Sequence, residues 1–290
     1  MPFEHDAETG WWSFETDELE GMLEPEGGRH GIKTLTHKAT GVDVVHPDYD
    51  VLNLFLLFST NQCMGTVREY EREVQAQGES LTVHWPANDD HRAAVTAVYE
   101  IVGGAVIDLT VTVQSEWAYE AYELFLSNYF DPPMNPHVYL QGSPYADPPD
   151  QPQWVATEVN DVYVGTGLVF PRDWHCSKRP VDGRWTGLWA MYQWNPQRFY
   201  ELPICMQVDP ETSVAAVLMS RPEECFAVVS GYASDNPDDP FAVQNPLYLS
   251  LFGDDLLPGD ERTAHVRLAL TELDDAMQRP LELYEQFAGT

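Results

Sequence analysis

The sequence predicts an all-β, antiparallel protein, and three observations carry that prediction. Short runs with period-two alternation dominate the chain, turn residues punctuate them, and helical periodicity is confined to the C-terminal end. The clearest breaks are Gly27-Gly28, Thr40-Gly41, Gly103-Gly104 and Pro258-Gly259-Asp260. Between them, residues 80–85 (SLTVHW), 92–101 (RAAVTAVYEI) and 105–114 (AVIDLTVTVQ) read as strands, the last two as a hairpin across Val102, Gly103 and Gly104. Runs at 162–169, 214–219, 225–231, 247–252 and 264–270 extend the pattern with β-branched and aromatic residues, which suit a pleated, half-buried surface. In residues 274–287, Ala276, Met277, Leu281, Leu283, Tyr284 and Phe287 give a partial apolar stripe interrupted by Pro280. That stripe predicts a short C-terminal helix on one end of the sheets. Prolines 132, 133, 136, 148, 149 and 152 make residues 131–154 a rigid, extended stretch, read as a long functional loop or an edge crossing. No repeat or long linker divides the chain, so residues 1–290 read as a single domain.

Composition narrows the partners. Asp and Glu number 47 against 15 Lys and Arg, a net charge of -32, and such a field repels nucleic acid and anionic lipid. With 43% hydrophobic and 12% aromatic residues the chain is globular and not a disordered acidic tail. Lys33, Lys38 and Lys178 are the only lysines, a composition that suits solubility at high ionic strength and predicts a salt-adapted (halophilic) protein. Cys63, Cys176, Cys205 and Cys225 lack zinc or redox spacing and read as reduced, buried thiols. His37, His46, His84 and His91 are scattered as well, so no transition-metal site is expected; Asp235, Asp238 and Asp239 leave calcium on loop carboxylates open, against a cluster that an acidic chain produces by chance. No phosphate loop or nucleophile elbow appears, and no cofactor is expected. The first residues, MPFEHDAETGWW, carry acids where a secretory signal carries bases, and no run of eighteen apolar residues follows. The expectation is a cytoplasmic protein with no membrane span.

The scarce positive charge is concentrated. Residues 170–185 (FPRDWHCSKRPVDGRW) hold Arg172, Lys178, Arg179 and Arg184 beside Trp174, His175 and Trp185. Guanidinium groups grip carboxylates and sulfates in a fork, and indoles stack on sugar faces, so this stretch suits a polar or anionic carbohydrate. Arg172, Arg184 and Trp185 are its candidate binding residues, and His175 among the cations is a candidate base. The competing reading is a loop whose arginines pair with nearby acids. His137, close to Tyr129, Asp131, Asn135 and Tyr139, is a candidate proton-transfer group, against the alternative of a loop histidine with no role. Glu201, in WNPQRFYELP, is a candidate general base, against a solvated strand end.

Residues 19–46 (LEGMLEPEGGRHGIKTLTHKATGVDVVH) run strand, Gly-Gly turn, strand, Thr-Gly turn; residues 92–114 form the hairpin; residues 119–130 end in Tyr129-Phe130. Residues 256–270 (LLPGDERTAHVRLAL) enter a final strand through a Leu-x-Pro-Gly-acid turn. This order resembles the galactose mutarotase-like (aldose 1-epimerase-like) proteins. The resemblance implies a supersandwich of two large antiparallel sheets with a sugar on the concave face of one. It also implies a binding role for the region of Asn61 and Arg68, and Tyr129 is a further candidate binding residue; Arg72, among alternating charges, reads as paired with Glu69, Glu71 or Glu73 on a solvated face. Mutarotases use a His as general acid and a Glu as general base. Here Leu126-Ser127-Asn128 precedes Tyr129-Phe130 where that family has Asn-His, and Glu261 lies in the turn itself. The expected function is a carbohydrate-active protein that binds a sugar or uronate, as a small molecule or oligosaccharide, and applies acid/base chemistry of epimerase, lyase or hydrolase type. The alternative is a non-catalytic carbohydrate-binding protein on the same fold.

Overall fold

The computed structural model describes residues 3–60, 62–143, 148, 150–157, 166–176, 191–194, 198–231 and 244–289. A five-stranded sheet opens the chain, in the order β1 (Glu4–His5), β2 (Trp12–Glu15), β3 (Leu19–Glu24), β4 (Gly31–His37), β5 (Val42–Asp43). Next come β6 (Asn53–Ser59), β7 (Gln62–Thr66), β8 (Glu73–Gln77), β9 (Ser80–Trp85), β10 (Ala93–Gly103), β11 (Val106–Ser115) and β12 (Tyr119–Tyr129). They are followed by β13 (Asn135–Leu140), β14 (Gln153–Ala156), β15 (Thr166–Pro171), β16 (Met191–Trp194) and β17 (Tyr200–Val208). The chain closes with β18 (Val214–Ser220), β19 (Cys225–Ser230), β20 (Pro246–Leu256), β21 (Glu261–Glu272) and α1 (Arg279–Ala288).

Two large sheets form the body. One has nine strands in the order β14-β13-β17-β18-β21-β11-β10-β9-β8, the other seven in the order β16-β15-β19-β20-β12-β6-β7. Every described strand pair is antiparallel except β15 with β16. The alternation read in the sequence decides what lies between the sheets. Val95, Ala97, Tyr99 and Ile101 of β10 and Ile107, Leu109, Val111 and Val113 of β11 point into the main core, while their neighbours face outward. Leu124 and Leu126 of β12, Val228 of β19 and Leu249 of β20 enter the same core from the seven-stranded sheet.

Both large sheets are also apolar on part of their outer faces. On the nine-stranded sheet, Ile204, Met206, Val217 and Met219 are covered by Leu283, Tyr284 and Phe287 of α1. On the seven-stranded sheet, Phe55, Phe58, Phe125, Tyr129, Val169, Val229 and Tyr248 form a second cluster. Strands such as β6 and β18, buried on both faces, therefore read as continuous apolar runs without alternation.

The structure corrects one sequence expectation and adds detail to two others. Pro280 does not interrupt the helix but sits in its first turn, where a proline's missing N–H costs nothing, so α1 starts five residues later than the apolar stripe does. Of the two readings of the proline-rich stretch 131–154, its described residues follow the edge crossing, because β13 runs through Pro136 and pairs with β17 on one side and with the edge strand β14 on the other. A third, five-stranded sheet stands beside the two large ones, joined to them by the bridges Ile32↔Val51 and Val45↔Phe130. Cys176, Cys205 and Cys225 are free and buried, as expected, and burial raises all three thiols, Cys176 to about 11. Among the described residues no helix is long and apolar enough to cross a membrane, and no group of acidic, His and Cys side chains has the geometry of a metal site. Asp235, Asp238 and Asp239 lie outside the described residues.

Candidate functional site

The outer face of the seven-stranded sheet gathers the aromatic and cationic side chains. Alternation along β12 sends Leu124 and Leu126 inward and leaves Glu123, Phe125, Ser127 and Tyr129 on this face, beside Tyr248 and Ser250 of β20. Tyr49, from the segment before β6, stacks on Tyr129 with ring centres 4.7 Å apart and planes at 28°. Tyr129 meets Tyr248 edge-on at 6.1 Å, and Tyr248 meets Phe125 at 5.8 Å. Gln244 donates to the Tyr49 hydroxyl at 3.0 Å. Burial raises the Tyr129 phenol, opposed by a hydrogen bond with Tyr248 and by the nearby Arg68 and Arg29 charges, so it remains a neutral donor at neutral pH.

Two arginines flank these rings. Arg29 lies in the turn between β3 and β4 with its Cζ 3.9 Å from the centre of the Tyr49 ring, and it donates to the Asp48 carbonyl at 2.6 Å. Arg68 lies in a 3₁₀ turn (Val67–Glu69) anchored by buried Val67, with its Cζ 4.3 Å from the centre of the Phe55 ring. Arg72 ties the two turns together, donating through Nη1 to the Arg68 carbonyl at 2.7 Å and through Nη2 to the Gly27 carbonyl. Its expected pairing with Glu69, Glu71 or Glu73 does not form; its fork bridges two backbone carbonyls instead. Gly31 sets the approach of the Arg29 turn to β6, because at φ +140° a Cβ here would lie 2.6 Å from the Val51 carbonyl oxygen.

Farther along the same face, Glu123 is buried opposite Phe58, and Ser250 donates a hydrogen bond to it. A carboxyl set among aromatic rings with a hydroxyl partner has the local chemistry of a proton-transfer group.

The structure does not bring all the sequence candidates together. Arg68 and Tyr129 share the aromatic face. His137 is half-buried on the opposite side of the molecule, because its register partner Met206 points to the helix-covered face of the nine-stranded sheet. Its ring hydrogen-bonds the Asn135 carbonyl at 3.1 Å, and burial lowers its pKa against that bond. Glu201 is exposed at the start of β17, close enough to Tyr139 to raise that phenol further. Arg172 is bonded locally, to Asp173 at 3.2 Å and to the Pro222 and Glu223 carbonyls at 3.4 and 3.5 Å. For Arg172 this matches the competing reading, while Lys178 and Arg179 lie outside the described residues. His175 is exposed just beyond, and Asn61, Arg184 and Trp185 lie outside the described residues. Where the resemblance expects Asn-His, Ser127 donates to the Asn53 carbonyl at 3.3 Å, and the Asn128 amide oxygen accepts from the Leu52 N–H at 2.8 Å. Those side chains stitch β12 to its neighbours.

Arg29, Tyr49, Glu123, Gln244 and Tyr248 were not legible as site residues. Arg29 follows the Gly27-Gly28 turn, which was the one available signal, since such turns present their next side chain at a sheet end. A separate cleft of about 690 Å³ on the five-stranded sheet is lined by Glu15, Asp17, Glu20 and Asp43, with Lys38 held by Glu15. It has no aromatic platform comparable to the Tyr49, Tyr129 and Tyr248 rings.

Solved structures with this arrangement of sheets identify the fold. A GalM/aldose epimerase homologue from C. elegans superposes with a TM-score of 0.53 at 12% identity, over 91% of this chain and 99% of that one. The chain has a galactose mutarotase-like fold. A candidate aldose 1-epimerase from Escherichia coli K12 gives a TM-score of 0.55 at 10% identity, covering 91% of this chain and 99% of the other. An α-N-acetylgalactosaminidase from Bifidobacterium bifidum, in complex with GalNAc, gives 0.56 at 10% identity, over 96% of this chain and 39% of that one. No protein-family model and no curated protein matches the sequence. At these identities the likeness concerns the galactose mutarotase-like architecture alone.

Proposed function

We propose that this chain binds a sugar on the aromatic face of the seven-stranded sheet and acts on it by acid/base chemistry, with Glu123 as the proton-transfer group. The observation that carries the reading is the cluster of half-buried Tyr49 with buried Tyr129 and Tyr248, flanked by Arg29 and Arg68. Aromatic faces stack on the C–H faces of pyranose rings, and phenol and guanidinium donors bond their hydroxyls. The fold neighbours support a carbohydrate ligand, since they include an aldose epimerase homologue and a galactosaminidase seen with GalNAc. His175 remains a proposed second proton-transfer group because it follows β15, which borders this face; His137 and Glu201 belong to a separate surface.

A second reading has its own observation. The positions that match the Asn-His of mutarotases carry structural hydrogen bonds instead, which favours a sugar-binding protein without turnover. The two readings separate on one experiment: sugar binding by calorimetry, and anomerisation or bond cleavage by NMR, for wild type and Glu123→Gln. Under the first reading Glu123→Gln binds as wild type does and loses about 10² to 10⁴ in rate. Equal turnover in both proteins removes Glu123 from the chemistry, and binding with no turnover in wild type establishes the second reading.

A further inference from the structure

We propose that Arg29 and Arg68 together form an oxyanion clamp, so that the sugar bound on this face carries a carboxylate, sulfate or phosphate group. This rests on the sugar-binding reading and names its substrate class.

In a chain with 47 acids and 15 basic residues, ion pairs take up several of the described arginines, while Arg72 bridges two carbonyls and Arg92 stands over the Trp117 ring. Arg221 pairs with Glu224, Arg262 with Asp260, Arg279 with Glu282, and Arg267 grips Asp108 through two bonds at 2.7 and 2.8 Å. Arg29 and Arg68 pair with no carboxylate among the described residues. Each is held instead over an aromatic ring, and a cation held by its charge over a ring keeps its N–H donors for another partner. Arg29 uses one of them on the Asp48 carbonyl.

The two cations also disfavour each other. Burial lowers the Arg68 pKa, and the charge of Arg29 lowers it too, opposed by Tyr129, Glu69 and Tyr248. Like charges placed close together in a half-buried site cost stability, and an anion set between them turns that repulsion into attraction. The placement is fixed, since the Arg72 fork binds the backbone of both turns at once. Two positioned guanidiniums suit the oxygens of a carboxylate, sulfate or phosphate, and the Tyr129 and Tyr248 phenols lie alongside for the sugar. The net charge of -32 does not oppose this at physiological salt, where charges beyond about 8 Å are largely screened.

The test is calorimetric titration at 0.15 M salt, taken as roughly physiological, with glucose, galactose and mannose, with their uronates, 6-sulfates and 6-phosphates, and with inorganic sulfate and phosphate. At least one anionic sugar is expected to bind about tenfold or more tightly than its neutral parent, as a charge-assisted pair predicts. Arg29→Gln should abolish that preference, costing the anionic sugar about tenfold or more in affinity beyond whatever its neutral parent loses, and Arg29→Lys, which keeps the charge but loses the fork, should restore only part of it. The wild-type comparison decides the matter even if a variant fails to fold. Equal affinity for charged and neutral sugars overturns the clamp and leaves the sugar reading intact. Binding of inorganic anions that Arg29→Gln abolishes, with no added affinity from any sugar ring, supports the clamp and overturns the sugar reading. No binding by any of them overturns both.

Discussion

Asp50 lies between the Arg29 turn and β6, fully buried, with its carboxylate 3.4 Å from Lys33 Nζ. Burial raises its pKa from 3.8 to about 6, opposed by Lys33 and reinforced by Glu24. The native state thus holds the Asp50 proton more tightly than the unfolded chain. Ionised Asp50 costs stability above pH 6, and the cost is relieved as pH falls from about 6 towards 4. Asp50→Asn mimics the protonated form, so relative to wild type it should gain about 1 to 3 kcal/mol at pH 8, the gain vanishing near pH 4. Denaturant titrations of both proteins across pH measure this directly. Buried His30 and His91 titrate in the opposite sense, burial lowering both, but they are common to the two proteins and cancel in the difference. A gap that does not change with pH would show that Asp50 does not titrate in this range. Arg72 gives a second prediction at this scale. Arg72→Lys leaves one ammonium where a fork spanned two carbonyls, so the Arg68 and Gly27 turns should separate, and stability should fall by about 1 to 2 kcal/mol in thermal or chemical denaturation.

Elements meet at points that a sequence pattern marks only as turns. Gly31 begins β4 with φ at +140°, against the Val51 carbonyl, and an alanine there combines a strained backbone with a steric clash. Gly31→Ala should lose about 2 to 3 kcal/mol, and it should also weaken sugar binding because the same turn delivers Arg29. An alanine variant as stable as wild type would refute the close approach. At the other end, α1 closes the outer face of the nine-stranded sheet with Leu283, Tyr284 and Phe287. Phe287 is 3% exposed, and Phe287→Ala should cost about 3 to 5 kcal/mol without altering binding on the opposite face. The helix was legible as an apolar stripe, but its start was not. Pro280 breaks the middle of a helix and favours its first turn, and only the packing of Leu283 and Phe287 against the sheet decides which applies. The 131–154 stretch left a loop and an edge crossing open for the same kind of reason: a proline, which has no N–H, suits an extended loop and the margin of a sheet equally well, and only the pairing of β13 and β14 decides.

Across the whole molecule, 47 acids on one chain repel each other in the compact state. Raising salt from about 0.1 to 1 M shortens the screening length from about 10 to 3 Å, so the melting temperature should rise over that range. A flat or falling melting curve would contradict this account of the charge. Alternation along strands such as β10, β11 and β21 was enough to indicate an antiparallel all-β protein, because a period of two assigns each side chain to one face before any partner is known. That period does not say which outer face will be covered, nor which strands become neighbours. Tyr129 and Arg68 could be picked from their local motifs, whereas Arg29, Tyr49 and Tyr248 come from distant parts of the chain and meet only through the order of the seven-stranded sheet and the Arg72 bridge. The sequence by itself determined the architecture, the acidic field and the scarcity of cations. The tertiary structure decided which cations stand over aromatic rings with no carboxylate partner among the described residues, because that depends on register and loop closure, which bring together residues that no local pattern connects.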